Sequence, residues 1–312
     1  MSEWPLVSAI IPTYNNSRLV VEAVESVLAQ TYKPVEIIVV DDGSTDDTVE
    51  RLLAYEKRIT LIPRQHGGPA VARNAGVRAS KGPVVAFLDS DDMWKPSKLE
   101  RCVPVLVQNA DVGVVYTGVR VLDLATQQEQ YAPCYDINGM IWREMFLECR
   151  GVNLSAITTW RRCLDEIGLF DEELFRAQDW DLFVRLAERY AYRFVPDVLT
   201  VRRVHAKGLS VARRDLYRDY NLKVIHKAAQ RRPDLYASLL NASLSRAHFR
   251  FGMHSYAQFD MCHARRDFLK SLRLKPNLKA LNYFLRALLP VSVVRKLRKM
   301  KLARRGMAGQ NG

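Results

Sequence analysis

Three carboxylates lie close together in the stretch Phe87-Leu88-Asp89-Ser90-Asp91-Asp92. The apolar run Val84-Val85-Ala86 precedes them and is typical of a buried strand, so the carboxylates follow its carboxyl end. Open α/β sheets bind ligands at that edge. Carboxylates this close repel one another unless a cation lies among them, and hard oxygen ligands suit Mg²⁺ or Mn²⁺. The cluster predicts a divalent-metal site; the alternative is an acidic turn that caps the next helix.

Two more groups of polar residues follow predicted strands. Thr13 and Tyr14 follow the run from Leu6 to Ile11, and Asp41 and Asp42 follow the next apolar run. With right-handed crossovers, the carboxyl ends of successive parallel strands lie along one sheet edge, so all these side chains should face one crevice. A nucleotide diphosphate with a bridging metal fits there, because Tyr14 offers an aromatic face to a base and Asp42 can accept from a base or ribose donor.

The elements that would position these residues alternate between strand and helix. Helical spacing predicts a helix after each of the first two strands, the second ending near Lys57, and Pro69 opens a helix to about Ala79. This alternation is typical of a parallel sheet in an α/β fold. The absence of G-x-x-x-x-G-K-[ST] and G-x-G-x-x-G loops disfavours P-loop and dinucleotide sites. The predicted strands are Leu6–Ile11, Val35–Val40, Ile59–Ile62 and Val84–Leu88.

Four motifs in this order and spacing resemble family 2 glycosyltransferases of the GT-A fold. The resemblance covers about residues 6 to 210 and implies a Rossmann-like, mixed, mainly parallel sheet flanked by helices, with a nucleotide-sugar donor. The motifs are Val7-Ser8-Ala9-Ile10-Ile11-Pro12-Thr13-Tyr14-Asn15, Val40-Asp41-Asp42-Gly43-Ser44-Thr45-Asp46, Ala72-Arg73-Asn74-Ala75-Gly76 and Phe87-Leu88-Asp89-Ser90-Asp91-Asp92.

The resemblance also implies roles for individual residues. Tyr14 and Asp42 would hold the base, Arg73 would lie near the nucleotide, and Asp91 would bind the metal directly beside Asp89. The alternative for Arg73 and its neighbour is a helix-surface salt bridge and a capping amide. The residues predicted to bind the nucleotide are Pro12, Thr13, Tyr14, Asn15, Asp41, Asp42, Arg73, Asp89 and Ser90.

A later acidic segment contains the predicted catalytic residue. Leu182 and Leu186 mark an amphipathic helix with Gln178 and Asp179 in its first turn, where a carboxylate can serve as a simple cap. The family carries a Glu-Asp or Gln-Asp pair here whose Asp is the general base. The resemblance therefore predicts that Asp179 is catalytic, with Asp181 as the second choice.

The segment from Val201 to Ser210 closes the predicted catalytic domain. Cations beside His205 favour its neutral form, which can bind a metal or contact a phosphate. The segment resembles the family's late Arg-x-x-His element, in which the His approaches the metal or diphosphate; a structural histidine is the alternative. Arg203 or Lys207 would help to neutralise the leaving diphosphate. The predicted metal ligands are Asp91, Asp89 and His205.

The region between these motifs and the overall composition set the remaining expectations. A strand from Val112 to Gly118 with a hairpin partner near Val119–Leu122 is predicted, and the polar residues 125–140 suit the acceptor side. Five widely spaced cysteines without a C-x-x-C pair disfavour disulfides and zinc, and no signal peptide is predicted, so a cytoplasmic protein is expected. The predicted domains are 1–210, catalytic, and 211–312, a helical extension.

The net charge of +13 is concentrated near the C-terminus. Residues 268–312 contain twelve Lys or Arg and no Asp or Glu, whereas residues 1–267 contain 35 basic and 34 acidic residues. Helices are predicted over residues 211–289, including one tetratricopeptide-like pair marked by Gly252, Ala264, Phe268 and Pro276.

An apolar run from Leu281 to Val294 precedes the cationic run Arg295 to Arg305. The apolar run is too short to cross a bilayer, which needs about 20 residues. Together the runs are typical of an interfacial anchor on an anionic membrane surface, where each cation contributes about 1 kcal/mol. The alternative is a solvated basic tail, and nucleic acid is disfavoured because no recognition motif accompanies the charge. The expected location is the inner face of the cell membrane.

These observations predict a metal-dependent inverting glycosyltransferase. It would move a sugar from a nucleotide-sugar, with UDP favoured, to a hydroxyl of a saccharide or lipid-linked acceptor, as in cell-surface polysaccharide synthesis. One alternative is a sugar-phosphate nucleotidyltransferase, which the lack of a glycine-rich basic loop disfavours. The other is a non-catalytic sugar-nucleotide-binding scaffold, which the chemically competent residues at every motif position disfavour.

Overall fold

The structure, a computed structural model, describes residues 4–132, 136–148, 152–206, 208 and 217–296. The chain divides into two compact units, Met1–Tyr220 and Asn221–Gly312. The domain boundary predicted at residue 210 stays a prediction, because residues 209–216 lie outside the described part. Lys207, Ser210 and most of the cationic run lie outside it as well. Among the described residues, every helix is too short or too polar to span a bilayer.

The first unit is built on one mixed sheet of nine strands. Its order is β3-β2-β1-β4-β8-β6-β9-β5, with β7 paired to β6. The strands are β1 (Val7–Thr13), β2 (Val35–Asp41), β3 (Thr60–Pro63), β4 (Val84–Phe87), β5 (Met93–Trp94), β6 (Val112–Asp123), β7 (Glu129–Tyr131), β8 (Thr158–Trp160) and β9 (Ala191–Val204).

The first four strands of the sheet order are parallel, as predicted. β1 and β4 are buried along their whole lengths, which is why they are continuous runs of mostly apolar residues rather than alternating ones. In the β1–β2 register Thr13 pairs with Asp41, so the two strands end level with each other. Ile10 pairs with Phe87, and the acidic cluster that follows β4 therefore begins at the same edge.

The predicted hairpin around Gly118 is wrong. β6 continues through Gly118 to Asp123 and pairs with β9 in parallel over most of its length. The β6–β9 register shifts on both sides of Gly118, so this glycine occupies a bulge rather than a turn. The antiparallel partner of β6 on the hairpin side is β7, which is separated from it by the turn after Asp123.

Twelve α-helices are described, and they include the three predicted near the N-terminus. The second of these ends at Leu53 rather than near Lys57, because the next amides bond three residues back, which tightens the chain into turns. The helices are α1 (Ser17–Leu28), α2 (Thr48–Leu53), α3 (Pro69–Ala79), α4 (Lys98–Gln108), α5 (Trp142–Leu147), α6 (Arg161–Ile167), α7 (Gln178–Ala187), α8 (Tyr217–Arg231), α9 (Pro233–Tyr236), α10 (Leu240–Ala257), α11 (Met261–Leu274) and α12 (Leu278–Leu288).

Glycines allow two of the helix contacts. A Cβ on Gly76 of α3 would lie 2.5 Å from Ile10 Cγ2, so only glycine lets α3 pack this closely on β1. In the second unit, a Cβ on Gly252 of α10 would lie 2.6 Å from the ring of Phe268 on α11. The α10–α11 pair forms as predicted, and Ala287 of α12 joins the same core. The apolar face that one helical pair leaves uncovered is thus partly buried by α12.

Lys98 of α4 is fully buried beneath the sheet. Its Nζ donates to the Ile157 carbonyl at 3.1 Å and to Thr158 Oγ1 at 3.0 Å, and it lies 4.0 Å from the centre of the Trp94 ring. Burial lowers the pKa of Lys98 from 10.5 to about 8. Near neutral pH the folded protein therefore carries a charge that the surrounding core disfavours.

Replacing Lys98 with methionine is expected to change how stability depends on pH. Between pH 8 and 10.5 the unfolded lysine still holds a proton that the folded one has lost, so wild-type stability rises with pH relative to the variant, by up to about 3 kcal/mol. Denaturant unfolding at several pH values measures the difference. Lys95→Met, at an exposed position three residues earlier, should not change how stability depends on pH. Parallel curves for wild type and Lys98→Met would contradict the prediction.

Candidate active site

The acidic cluster after β4 forms as predicted. Asp89, Asp91 and Asp92 each offer a carboxylate oxygen, and these oxygens lie within 4.8 Å of one another. Burial, and then the charge of Asp89, raises the pKa of Asp91. Burial and the two neighbouring carboxylates raise the pKa of Asp92 well above its usual range. Both shifts mean that the cluster disfavours full ionisation unless a positive charge joins it.

Asp92 is the most buried member of the cluster, and it is held in place from two sides. Its carboxylate accepts from Ser155 Oγ at 2.6 Å and from the backbone N–H of Arg203 at 3.1 Å. The same Ser155 Oγ accepts from the backbone N–H of Asp89 at 3.1 Å. One hydroxyl thus links both ends of the acidic turn.

The side chain of Arg203 is buried and contacts the backbone of the acidic turn. Its guanidinium donates to the carbonyl of Asp91 at 2.5 Å, to the carboxylate of Glu22 and to the carbonyl of Leu19 at 3.1 Å. All three of its nitrogens are thereby occupied within the protein. Arg203 thus has an internal structural role, and its predicted contact with the leaving diphosphate stays a prediction.

His205 lies beside the acidic cluster. Its Nε2 is 3.2 Å from Asp91 Oδ2, and its side chain is 20% exposed. Sequence reasoning grouped His205 with Asp89 and Asp91, whereas the group of three close oxygen donors contains Asp92 instead. The imidazole is close enough to share a ligand with Asp91, and its role in metal binding stays a prediction.

Arg73 of α3 contacts the other side of the cluster. Its Nη2 donates to Asp89 Oδ1 at 2.6 Å, and its side chain is only 7% exposed. The guanidinium carbon lies 5.5 Å from the centre of the Phe170 ring. Nε and Nη1 are buried without a hydrogen-bond partner among the described residues. An arginine in this state keeps donors for a phosphate or sugar oxygen.

Asn74, the next residue, fastens α3 to the segment that leads to α7. Its amide donates to the carbonyl of Phe170 at 2.9 Å and accepts from the N–H of Phe170 at 2.9 Å. It also donates to Glu172 at 2.8 Å. The sequence predicted a capping amide at this position. The amide instead makes a tertiary contact with the backbone of Phe170, whose ring lies beside Arg73.

Asp179 occupies the first turn of α7, as predicted. Its Oδ1 accepts from the N–H of Trp180 at 2.8 Å. Burial raises the pKa of Asp179, while the charge of Arg73 opposes that shift and the charge of Asp89 adds to it. These interactions place Asp179 within electrostatic range of the acidic cluster and of Arg73.

The neighbouring carboxylate, Asp181, has a different environment. It is buried and pairs with Arg185 one turn later, with Nη2 to Oδ2 at 2.7 Å. Arg185 Nη1 also donates to the carbonyl of Ile167 at 2.8 Å, which connects α7 to the end of α6. Asp181 thus has a structural partner, which weakens its case as the catalytic alternative.

The aromatic platform predicted at Tyr14 is present. Tyr14 is 46% exposed, and its ring lies 4.4 Å from that of His66, tilted by 30°. Asp42 lies nearby but is almost fully buried, and it accepts from the N–H groups of Gly67 and Gly68 at 3.0 and 2.8 Å. Asp42 therefore shapes the turn before α3, and sequence reasoning missed His66 as the partner of Tyr14.

The remaining predicted nucleotide-binding residues lie at the same edge. Asn15, with φ of 46°, accepts from the N–H of Thr45 at 2.7 Å and so fixes the loop after β2. In the loop after β1, Asn16 Nδ2 donates to Ser90 Oγ at 3.0 Å and so connects this loop to the acidic turn. The buried atoms Thr13 Oγ1 and Asp41 Oδ1 lack a partner among the described residues, and Pro12 is buried within β1.

Comparison with known proteins agrees with this geometry. Residues 8–154 match the family described as Glycosyl transferase family 2. An uncharacterized glycosyltransferase of Rickettsia prowazekii is 34% identical over 210 residues, which are 65% of this chain and 65% of that protein. Chondroitin synthase of Escherichia coli is 29% identical over 230 residues, 73% of this chain but 33% of the synthase. The chain thus spans just under two thirds of the first relative and about a third of the second.

Two solved structures share the fold. S. aureus TarS residues 1–349 in complex with UDP-GlcNAc matches with a TM-score of 0.64 and 20% identity, covering 90% of this chain and 79% of that one. The Pyrobaculum calidifontis mannosyltransferase in complex with GDP-Man and Mn²⁺ matches with a TM-score of 0.59 and 19% identity, covering 99% and 88%. The motifs, the mixed sheet and the family match agree, and the part of the chain from residue 8 to residue 154 is therefore a domain of glycosyltransferase family 2.

Proposed function

We propose that the protein transfers a sugar from a nucleotide-sugar to a hydroxyl group of an acceptor, with inversion at the anomeric carbon. The observation that carries this proposal is the 2.6 Å contact between Arg73 and Asp89 beside the acidic cluster, with Asp179 in electrostatic range of both. A cationic donor, clustered carboxylates and a separate, partly buried carboxylate are the groups that such a reaction needs. The favoured donor is a UDP-sugar, and the favoured acceptor is a saccharide or lipid-linked saccharide.

A divalent metal fits the acidic cluster. Three carboxylate oxygens within 4.8 Å of one another, with raised pKa values at Asp91 and Asp92, are a donor set that a cation would stabilise. All are hard oxygen ligands, which suits Mg²⁺ or Mn²⁺. Asp91, Asp89 and His205 would hold the ion, with Asp92 as a close neighbour. When bound, the ion would stabilise negative charge on the diphosphate as it leaves.

Residues of the chain itself would bind the donor and accept the proton. The free donors of Arg73 bind the diphosphate or the sugar, and the exposed Tyr14 ring stacks on the base. Asp179 accepts the proton from the attacking hydroxyl. A single displacement inverts the anomeric carbon and requires only one catalytic carboxylate, unlike the pair that retaining glycosidases use.

A ligand screen followed by an activity assay tests the proposal. We expect a UDP-sugar, compared with GDP- and dTDP-sugars, to raise the melting temperature, and to do so more with Mn²⁺ than with EDTA. Incubation with that donor and saccharide acceptors should then release the nucleoside diphosphate, and NMR of the product should show the opposite anomer. Release of pyrophosphate from a nucleoside triphosphate and a sugar phosphate would favour a nucleotidyltransferase instead. Donor binding without transfer or hydrolysis would favour a scaffold.

A further inference from the structure

Helix α12 exposes a continuous row of leucines. Leu278, Leu281, Leu285 and Leu288 are 85%, 42%, 54% and 51% exposed. Their spacing of three, four and three residues places all four on one face of the helix. The opposite face carries the buried Ala280 and Ala287, through which α12 packs in its own unit.

The exposed row continues beyond the end of the helix. Leu289, Val291 and Val293 are 37%, 36% and 40% exposed, whereas Val294 is buried. Single exposed leucines are common on protein surfaces, but an ordered row of this length is not. Contiguous apolar surface of this kind marks a place that contacts another apolar phase or partner.

Positive charge borders the leucine row. The side chains of Lys279, Arg286 and Arg295 lie over aromatic rings of the same unit, at 5.3, 5.6 and 4.9 Å from the ring centres. Such contacts hold a cation near a fixed position without neutralising it. Residues 268–312 add further Lys and Arg and contain no acidic residue. Lys279, Arg286 and Arg295 therefore give the described part of this unit positive charge on and next to α12.

We propose that α12 lies flat on an anionic lipid surface, with its leucine row among the acyl chains and the bordering cations at the headgroups. An amphipathic helix with an apolar face and basic flanks binds in this way. A second copy of the chain is disfavoured as the occupant, because pairing two such faces would bring like charges together. The sequence located an anchor in the apolar run and the cationic run; the structure assigns the apolar contact to a face that begins earlier, at Leu278.

Vesicle flotation of the full-length protein tests this assignment. The probes are vesicles of phosphatidylcholine with a quarter phosphatidylglycerol, and vesicles of pure phosphatidylcholine. We expect the wild type to float with the anionic vesicles only. The double variant Leu281→Gln with Leu285→Gln keeps every cation and should lower the partition coefficient about 100-fold, because it removes two apolar contacts with the membrane. Circular dichroism checks that its helices remain folded.

Leu53→Gln in α2 is the matched control, because Leu53 is 53% exposed but lies outside the leucine row. It should float like the wild type. Equal flotation of the double variant and the wild type would overturn the proposal in favour of binding by the charged residues alone. Failure of the wild type to float would overturn it as well, as would a concentration-dependent dimer that the double variant abolishes. None of these outcomes bears on glycosyl transfer, which is measured separately with a soluble acceptor.

Discussion

Asp179→Asn is expected to lower kcat for sugar transfer by about 10²–10⁴-fold, the contribution typical of a general base. Asparagine fills the same space and can still accept from the N–H of Trp180, so the first turn of α7 should keep its conformation. In the proposed mechanism, the variant loses the ability to take a proton from the acceptor hydroxyl. The Kd for the donor, measured by calorimetry, should therefore change little while transfer is almost abolished.

The pH profile gives a second readout for the same residue. Burial raises the pKa of Asp179, and a general base is active only when it is deprotonated. The rate of transfer should therefore fall as the pH drops through this raised pKa, at a higher pH than for an ordinary aspartate. The small residual rate of Asp179→Asn should not show this decrease at low pH.

Asp181→Asn is the matched control on the same helix. Because Asp181 pairs with Arg185 in a buried contact, its replacement should lower the melting temperature, and the folded variant should retain kcat. If Asp179→Asn transferred sugar as fast as the wild type while Asp181→Asn did not, the general base would be Asp181 instead. Transfer at the wild-type rate by both variants would remove α7 from the catalytic step.

Much of the donor half of the fold follows from local sequence. β1, β2 and β4 consist mostly of apolar residues because both faces of a parallel strand are largely covered, and Pro69 marks the first turn of α3. The polar residues that follow the strands must then meet at one edge, whatever the details of the loops. The positions of Tyr14 and the acidic cluster could therefore be predicted.

The other half depends on contacts between distant residues, which local patterns do not contain. β8 has three residues and lies between β4 and β6 only because tertiary packing places it there. Gly118 resembles a turn residue in sequence, and its bulge becomes visible only once β9 is known to pair alongside. Ser155 contacts Asp92 across 63 residues, and Asn74 contacts Phe170 across 96. The place of Asp92 in the cluster could have been predicted, because it directly follows Asp91 in the acidic run.

These distant contacts explain how the site is held rigid. The acidic turn after β4 is held by Ser155 just before β8, by Arg203 of β9 and by Asn16 in the loop after β1. Asn74 fixes the ring beside Arg73. Buried, fully bonded groups of this kind keep functional side chains in place before a ligand arrives. The sequence predicts the groups that would carry out the reaction more readily than the groups that hold them.

Asp91→Ala is expected to weaken metal-dependent binding of the nucleotide by at least about 100-fold, more than the loss of an outer-shell partner typically causes. In the cluster, Asp91 combines a carboxylate oxygen within 4.8 Å of those of its neighbours with a contact to His205 at 3.2 Å, so its replacement would remove one of the proposed oxygen ligands. Calorimetry of chelator-treated protein with UDP, before and after Mn²⁺ is restored, measures the effect.

The wild type should bind UDP much more tightly once Mn²⁺ is restored, whereas Asp91→Ala should bind it weakly in both states. Asp197→Ala is a control for the loss of an aspartate, because Asp197 makes an exposed salt bridge with Arg101 and such pairs contribute at most about 1 kcal/mol. That variant should keep the full response to Mn²⁺. If Asp91→Ala kept it too, the carboxylates after β4 would not be the metal ligands, and Arg73 would be left as the main group that neutralises the diphosphate.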